Sequence, residues 1–221
     1  MSDQNEVVAG ENPILMDMLT RYPILVPCRP SIQKAADVII NSYINGGRVM
    51  VCGNGGSAAD AEHIVGELMK GFMRKRPLPD DKRAALQALD AERGKKLSET
   101  LQVPLPALAL TGQLSLSTAF ANDADADLVF AQQVLGYGRK GDVIIGISTS
   151  GNAGNVINAL ITAKMLEIAT IGLTGASGGH MAEHCDILVS VPETSTPLIQ
   201  ELHLPVYHTI CRITESYFFA E

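Results

Sequence analysis

The 221 residues are 46% hydrophobic, enough apolar material for one compact core, and they carry a net charge of −7 with only 19% charged residues. That balance excludes the basic stripe a duplex nucleic acid needs, and the lack of tryptophan, with aromatics at 5%, removes the stacking platforms that hold single strands. No apolar run reaches the length of a membrane span, so neither nucleic acid nor membrane is an expected partner. Cys28, Cys52, Cys185 and Cys211 show no metal-type spacing, and a polar, acidic MSDQNEVVAG start stands where a signal peptide would be. Reduced thiols in the cytoplasm are the expectation.

Residues 1–30 are rich in proline and turn formers, with room for a short helix before a loop. From Ser31, SIQKAADVIINSYINGG reads as an amphipathic helix with Ser31 as its N-cap and Gly46–Gly47 as its stop. Short, nearly continuous apolar runs follow at Arg48–Cys52, Ala107–Leu110, Val143–Ile147, Ala169–Leu173 and Ile187–Val191. Continuous rather than alternating apolar character marks strands buried on both faces, as in a parallel sheet. Helical patterns at 57–73, 125–138, 153–166, 178–185 and 197–219 separate or follow them. The alternation predicts a single α/β domain: a three-layer sandwich around a five-stranded parallel sheet, with its core over 31–219. Lys75–Gln102, dense in mixed charge and helix formers, reads as a solvated helical insertion.

Two strand ends carry chemistry. The first strand runs into Gly53-Asn54-Gly55-Gly56-Ser57 and then a helix. Glycines at the carboxyl end of a parallel strand let the backbone approach an anion, and the helix N-terminus supplies free N–H groups and a favourable dipole. The loop lacks the Lys-Ser/Thr of a Walker motif and does not match GxGxxG, and on its own it is equally a tight strand–helix turn. The third strand runs into Gly146-Ile147-Ser148-Thr149-Ser150-Gly151-Asn152 and again into a helix. A cap needs one hydroxyl or amide, whereas three successive hydroxyls suit the oxygens of a phosphate.

Further along, His63 and Glu67 are spaced i, i+4 on one helix face, where imidazole and carboxylate can ligate zinc, act as base and partner, or simply form a polar surface with Glu62. The final helix offers Gln200, Glu201, His203 and His208, and spacing does not separate the two histidines. Gln200 and His208 lie eight residues apart, about 12 Å along a helix, so meeting at one ion demands a helix lying flat across the site or ligands shared between subunits. His180 and His184 read as surface or capping residues, and Cys52 as a small buried side chain.

In combination, CGNGGSAADAEH, AFANDADAD, GDVIIGISTSGN and IQELHLPVYH resemble the sugar-isomerase (SIS) domain, and within it the phosphoheptose isomerases, over about Ser31 to Phe219 outside the insertion. The resemblance implies a flavodoxin-like SIS fold and a sugar phosphate as substrate. It implies substrate contacts from Asn54, Gly55, Gly56, Ser57, Glu67, Asn122, Asp123, Ser148, Thr149, Ser150 and Gln200. It selects His63, Glu67, Gln200 and His208 as the metal set, with one Zn2+ per site, and leaves His203 structural. It also implies a homotetramer with active sites near subunit interfaces. The reaction it implies interconverts sedoheptulose 7-phosphate and D-glycero-D-manno-heptose 7-phosphate through an enediolate, with Glu67 as carbon base and His208 as acid/base partner. Ala153 departs from the serine the family often places there and removes one phosphate hydroxyl. The rival expectations are a non-catalytic SIS module of the replication-initiator-associating type, and an isomerase of another sugar phosphate.

Overall fold

The computed structural model describes residues 12–219. The MSDQNEVVAG segment lies outside them. Asn12 caps α1 (Pro13–Arg21) by accepting from the N–H groups of Ile14 and Leu15, and a 3-10 turn over Pro23–Cys28 leads directly into α2 (Arg29–Ile44). Ser31 is therefore not an N-cap. Pro30, with its fixed φ and missing N–H, already sits in the first turn, and Ser31 Oγ instead donates to the Cys28 carbonyl (3.0 Å).

The sheet contains β1 (Val49–Gly53), β2 (Ala107–Ala109), β3 (Val143–Ile147), β4 (Ala169–Thr174) and β5 (Ile187–Ser190), all parallel, in the order β2-β1-β3-β4-β5. Each expected run forms a strand, shifted by at most a residue or two. β1 and β3 are buried along their whole length, which is why their residues are apolar throughout. This is the flavodoxin-like strand order, and its switch point lies between β1 and β3. Gly53 pairs with Ile147, so the two motif loops leave the sheet side by side.

One face is covered by α1, α2, α3 (Gly56–Met69) and the C-terminal helix, and the other by the two helices that flank β3 in sequence. α3 ends at Met69, four residues short of the expected 57–73, because the next N–H groups turn away to the last helix. α4 (Asp80–Leu89) and α5 (Ala91–Thr100) form a helical hairpin within the stretch read as an insertion, and they pack chiefly on each other. The hairpin stands on a narrow base: Pro77 bridges Gln102, and Gln102 Oε1 accepts from Gly71 N–H (2.6 Å). With no residue of α4 buried and Leu89 84% exposed, the hairpin adds little to the core. Replacing 80–100 by a short Gly/Ser loop is expected to leave the helical signal of the remaining chain intact and its melting temperature within about 5 °C, as read by circular dichroism.

Beyond β2 come α6 (Leu114–Phe120), a π-helical turn (Ala121–Asp125), a 3-10 turn (Ala126–Leu128) and α7 (Val129–Tyr137), where one helix over 125–138 was expected. α8 (Gly154–Met165) follows β3, the 178–185 pattern closes only as a 3-10 turn (His180–His184), and α9 (Thr196–Phe218) ends the fold.

Candidate active site

Both motif loops end in helices that lack a side-chain cap. α3 starts after Gly55 at φ +56°, where the Ser57 and Ala58 N–H groups turn back to the Asn54 and Gly55 carbonyls (3.0 Å each), and α8 starts after Ala153, so no side chain occupies either helix end. Gly53 admits no larger residue, since a Cβ there would sit 2.6 Å from the Ser57 carbonyl oxygen. Ser57 and Ser148 are buried at the floor, Thr149 is half-buried and Ser150 exposed at the rim. Ser148 Oγ accepts weakly from Ala153 N–H (3.4 Å), and Ser150 Oγ from Asn152 N–H (3.2 Å). Asn54 is tied across the loops by a reciprocal amide pair with Asn155 (2.8 and 2.9 Å). Asn155 was not singled out from the sequence. It stands in the first turn of α8, and only its pairing across the two loops distinguishes it.

α3 and α9 run parallel, side by side. At the first turn of α3, Gln200 packs on Gly56, where an added methyl would stand 2.5 Å from Gln200 Nε2. Two turns further, His208 Nε2 lies 3.3 Å from His63 Nε2, and beyond α3 the N–H groups of Phe72 and Met73 donate to Glu215 of α9 (2.8 and 2.7 Å). The eight-residue gap between Gln200 and His208 thus runs alongside the seven residues from Gly56 to His63 on α3. His63 Nε2 is also 3.2 Å from Glu67 Oε1, while Glu67 Oε2 accepts from Lys70 (3.0 Å). Burial, then the neighbouring His63, lowers the His208 pKa against the opposing pull of Glu67, and the Phe72 ring packs against the same imidazole. Asn122 Nδ2 donates to its neighbour Asp123 (2.8 Å), and both are exposed on the segment that follows β2.

The donor chemistry at His63 suits zinc. Tetrahedral zinc with bonds of about 2.0–2.2 Å holds its ligand atoms about 3.3 Å apart, the spacing of His63 Nε2 from both Glu67 and His208. Gln200, at the first turn of α3, lies apart from that junction. Among the described residues no group of three or more His, Cys, Asp and Glu side chains is arranged to hold a metal ion.

A family profile described as the SIS domain matches residues 27–100 and 83–175. The phosphoheptose isomerase of Rhodospirillum rubrum is 42% identical over 189 residues, spanning 86% of this chain and 87% of that one. The chain belongs to the SIS domain family, in its phosphoheptose isomerase group. The structure of phosphoheptose isomerase GmhA from Neisseria gonorrhoeae superposes with a TM-score of 0.70 at 34% identity, covering 91% of this chain and 93% of that one. A phosphoheptose isomerase from Francisella tularensis gives 0.70 at 30% identity, covering 91% and 98%.

Within this member of the phosphoheptose isomerase family, several residues not singled out as site residues support the α3–α9 seam. Tyr207 places its hydroxyl 3.1 Å from His63 Nδ1 and 3.2 Å from Asp60 Oδ1. Arg76, fully buried, donates to the Leu68 and Glu67 carbonyls at the end of α3 (2.6 and 3.2 Å) and pairs with Glu215 (2.7 Å). His203 is buried, its pKa is lowered by that burial, and its Nε2 lies 3.3 Å from the Thr174 carbonyl, away from His63. Cys52 is buried in the strand, and its thiol is pushed up to about 12 by burial, then by Cys185, which suits packing rather than nucleophilic attack.

Proposed function

We propose that this chain interconverts sedoheptulose 7-phosphate and D-glycero-D-manno-heptose 7-phosphate, supplying heptose for lipopolysaccharide or another surface glycan. The observation that carries the reading is the junction at which His63 Nε2 lies within 3.3 Å of both Glu67 and His208, on a seam whose opening turns adjoin two uncapped helix N-termini. The N-termini and the hydroxyls of Ser57, Ser148, Thr149 and Ser150 suit the phosphate. Asn54, Gly55, Gly56, Asn122, Asp123 and Gln200 are assigned to the sugar.

From the ketose, Glu67 takes a proton from C1 and the electron pair moves into the C1–C2 bond, leaving charge on O2. His208 delivers a proton to O2 and receives the one from O1. Glu67 returns its proton to C2, so composition is unchanged. Zinc, which we assign to His63, Glu67 and His208 at the junction, with Gln200 contributed across a subunit interface, would polarise the sugar oxygens when bound. We place the enzyme in the cytoplasm as a homotetramer with active sites near subunit interfaces, a reading supported by exposed Leu198 and Leu204 on the helix that carries Gln200 and His208.

The test is an isomerisation assay on sedoheptulose 7-phosphate, with and without chelator. Aldose formation that falls on chelation and returns with added zinc is expected. Tight sugar-phosphate binding with no turnover in either arm would replace the enzyme by a binding module.

A further inference from the structure

The Tyr207 hydroxyl has one proton and two neighbours, and Asp60 decides where that proton goes. An ionised carboxylate can only accept. Its Oδ2 is buried and has no hydrogen-bond partner among the described residues, so Oδ1, 3.2 Å from Tyr207, is its link to a donor there. Were Tyr207 to donate to His63 instead, both carboxylate oxygens would lack a donor at this position, and leaving a buried charge unsatisfied is the costlier arrangement. Tyr207 therefore donates to Asp60, and its oxygen accepts from His63 Nδ1–H (3.1 Å).

We infer that Tyr207, ordered by Asp60, is a positioning residue that fixes His63 as the Nδ1–H tautomer and leaves its Nε2 lone pair facing the space between Glu67 and His208. The inference deepens the proposed isomerase reading and rests on it for its catalytic consequence. The ring geometry reinforces the assignment, since Tyr207 stands edge-on to both imidazoles, 5.5 Å from His63 and 5.1 Å from His208 between centroids. With Nδ1 committed, His63 cannot donate from Nε2 in its neutral form. In the metal-free protein His208 can then donate its Nε2–H across the 3.3 Å gap, and with zinc bound the two Nε2 lone pairs face the ion instead. Glu67 Oε1, 3.2 Å from His63 Nε2, is then left without a histidine donor, a clash of acceptors that the zinc assigned to both groups would relieve when bound.

The test reads the tautomer directly by long-range 1H–15N correlation of the imidazoles, at about pH 8.5 where histidine is neutral, on the purified protein before and after chelator. Wild type should show a pyrrole-like Nδ1 and a pyridine-like Nε2 on His63 in both states. Tyr207→Phe, which keeps the ring, should mix the tautomers and lower kcat by about 10- to 100-fold with KM within about twofold. Asp60→Asn should go further. Its amide can donate to the Tyr207 oxygen, turning the hydroxyl toward His63 Nδ1 and switching the imidazole to Nε2–H. A wild-type His63 protonated on Nε2, or a Tyr207→Phe protein with unchanged tautomer and kcat, would overturn the inference and leave the isomerase reading standing. The Nδ1–H tautomer in a wild-type protein that does not turn over sugar phosphate would retain the positioning and remove the isomerase.

Discussion

Glu67→Gln is expected to lower kcat by about 10²- to 10⁴-fold, the usual contribution of a positioned general base, while sugar-phosphate binding changes little. The substitution keeps the shape of a side chain that is only 12% exposed, so the fold should persist and the melting temperature should move by no more than a few degrees. It replaces one carboxylate oxygen by an amide nitrogen that cannot accept a carbon-bound proton. The phosphate contacts we propose lie elsewhere, at the two helix ends without side-chain caps, which is why KM and kcat should separate. Metal content measured on the same samples distinguishes the two roles assigned to Glu67. A variant that retains zinc but not turnover supports the base, and one that loses both makes the carboxylate a ligand first. Full activity in Glu67→Gln would remove Glu67 from the proton transfer altogether.

How much of this was legible beforehand follows from range along the chain. The five strands were readable because each is a short apolar run buried on both sides, and the parallel order followed from the intervening helices. The two loops were readable for the same local reason, as glycines and hydroxyls concentrated at strand ends. α6 was not, because GQLSLSTAF alternates apolar and polar residues over its first half and buries none of them, leaving no helical stripe to read. Ser31 misled because a serine ahead of an amphipathic run is a good cap signal, yet the 3-10 turn over Pro23–Cys28 feeds the helix three residues sooner. Asp60 and Tyr207 stand 147 residues apart, and their meeting is set by the parallel packing of α3 on α9. A tyrosine beside a motif histidine carries no such information in the sequence. The same holds for Arg76, which looked like one more charge at the edge of the insertion and is instead among the most buried side chains.

That burial makes Arg76 the most consequential charge in the protein. Its side chain and that of Glu215 are 0% and 1% exposed, and the pair is fully occupied: Arg76 holds the Glu67 and Leu68 carbonyls, and Glu215 holds the Phe72 and Met73 N–H groups. Removing one partner from such a pair strands the other, at a cost of about 3–5 kcal/mol. Arg76→Met should therefore lower the urea midpoint sharply, and Arg76→Met with Glu215→Leu should cost less than the two single changes added together. Burial alone would raise the Glu215 pKa, but the two N–H groups and the Arg76 guanidinium outweigh it and hold the carboxyl below its usual value. A folded pKa below the unfolded one means a contribution to stability that is fully present above about pH 4.3 and is lost as the pH falls through the folded value. Acid unfolding should therefore flatten in Glu215→Gln, whose stability starts lower and falls less between about pH 5 and pH 3. Equal acid sensitivity of wild type and variant would show that other carboxylates govern that limb. The same network bears on catalysis, since Phe72 gives its N–H to Glu215 and its ring to His208, 5.2 Å between centroids. In Arg76→Lys, which keeps the charge but not the fork that spans two carbonyls and a carboxylate, activity should fall further than stability does.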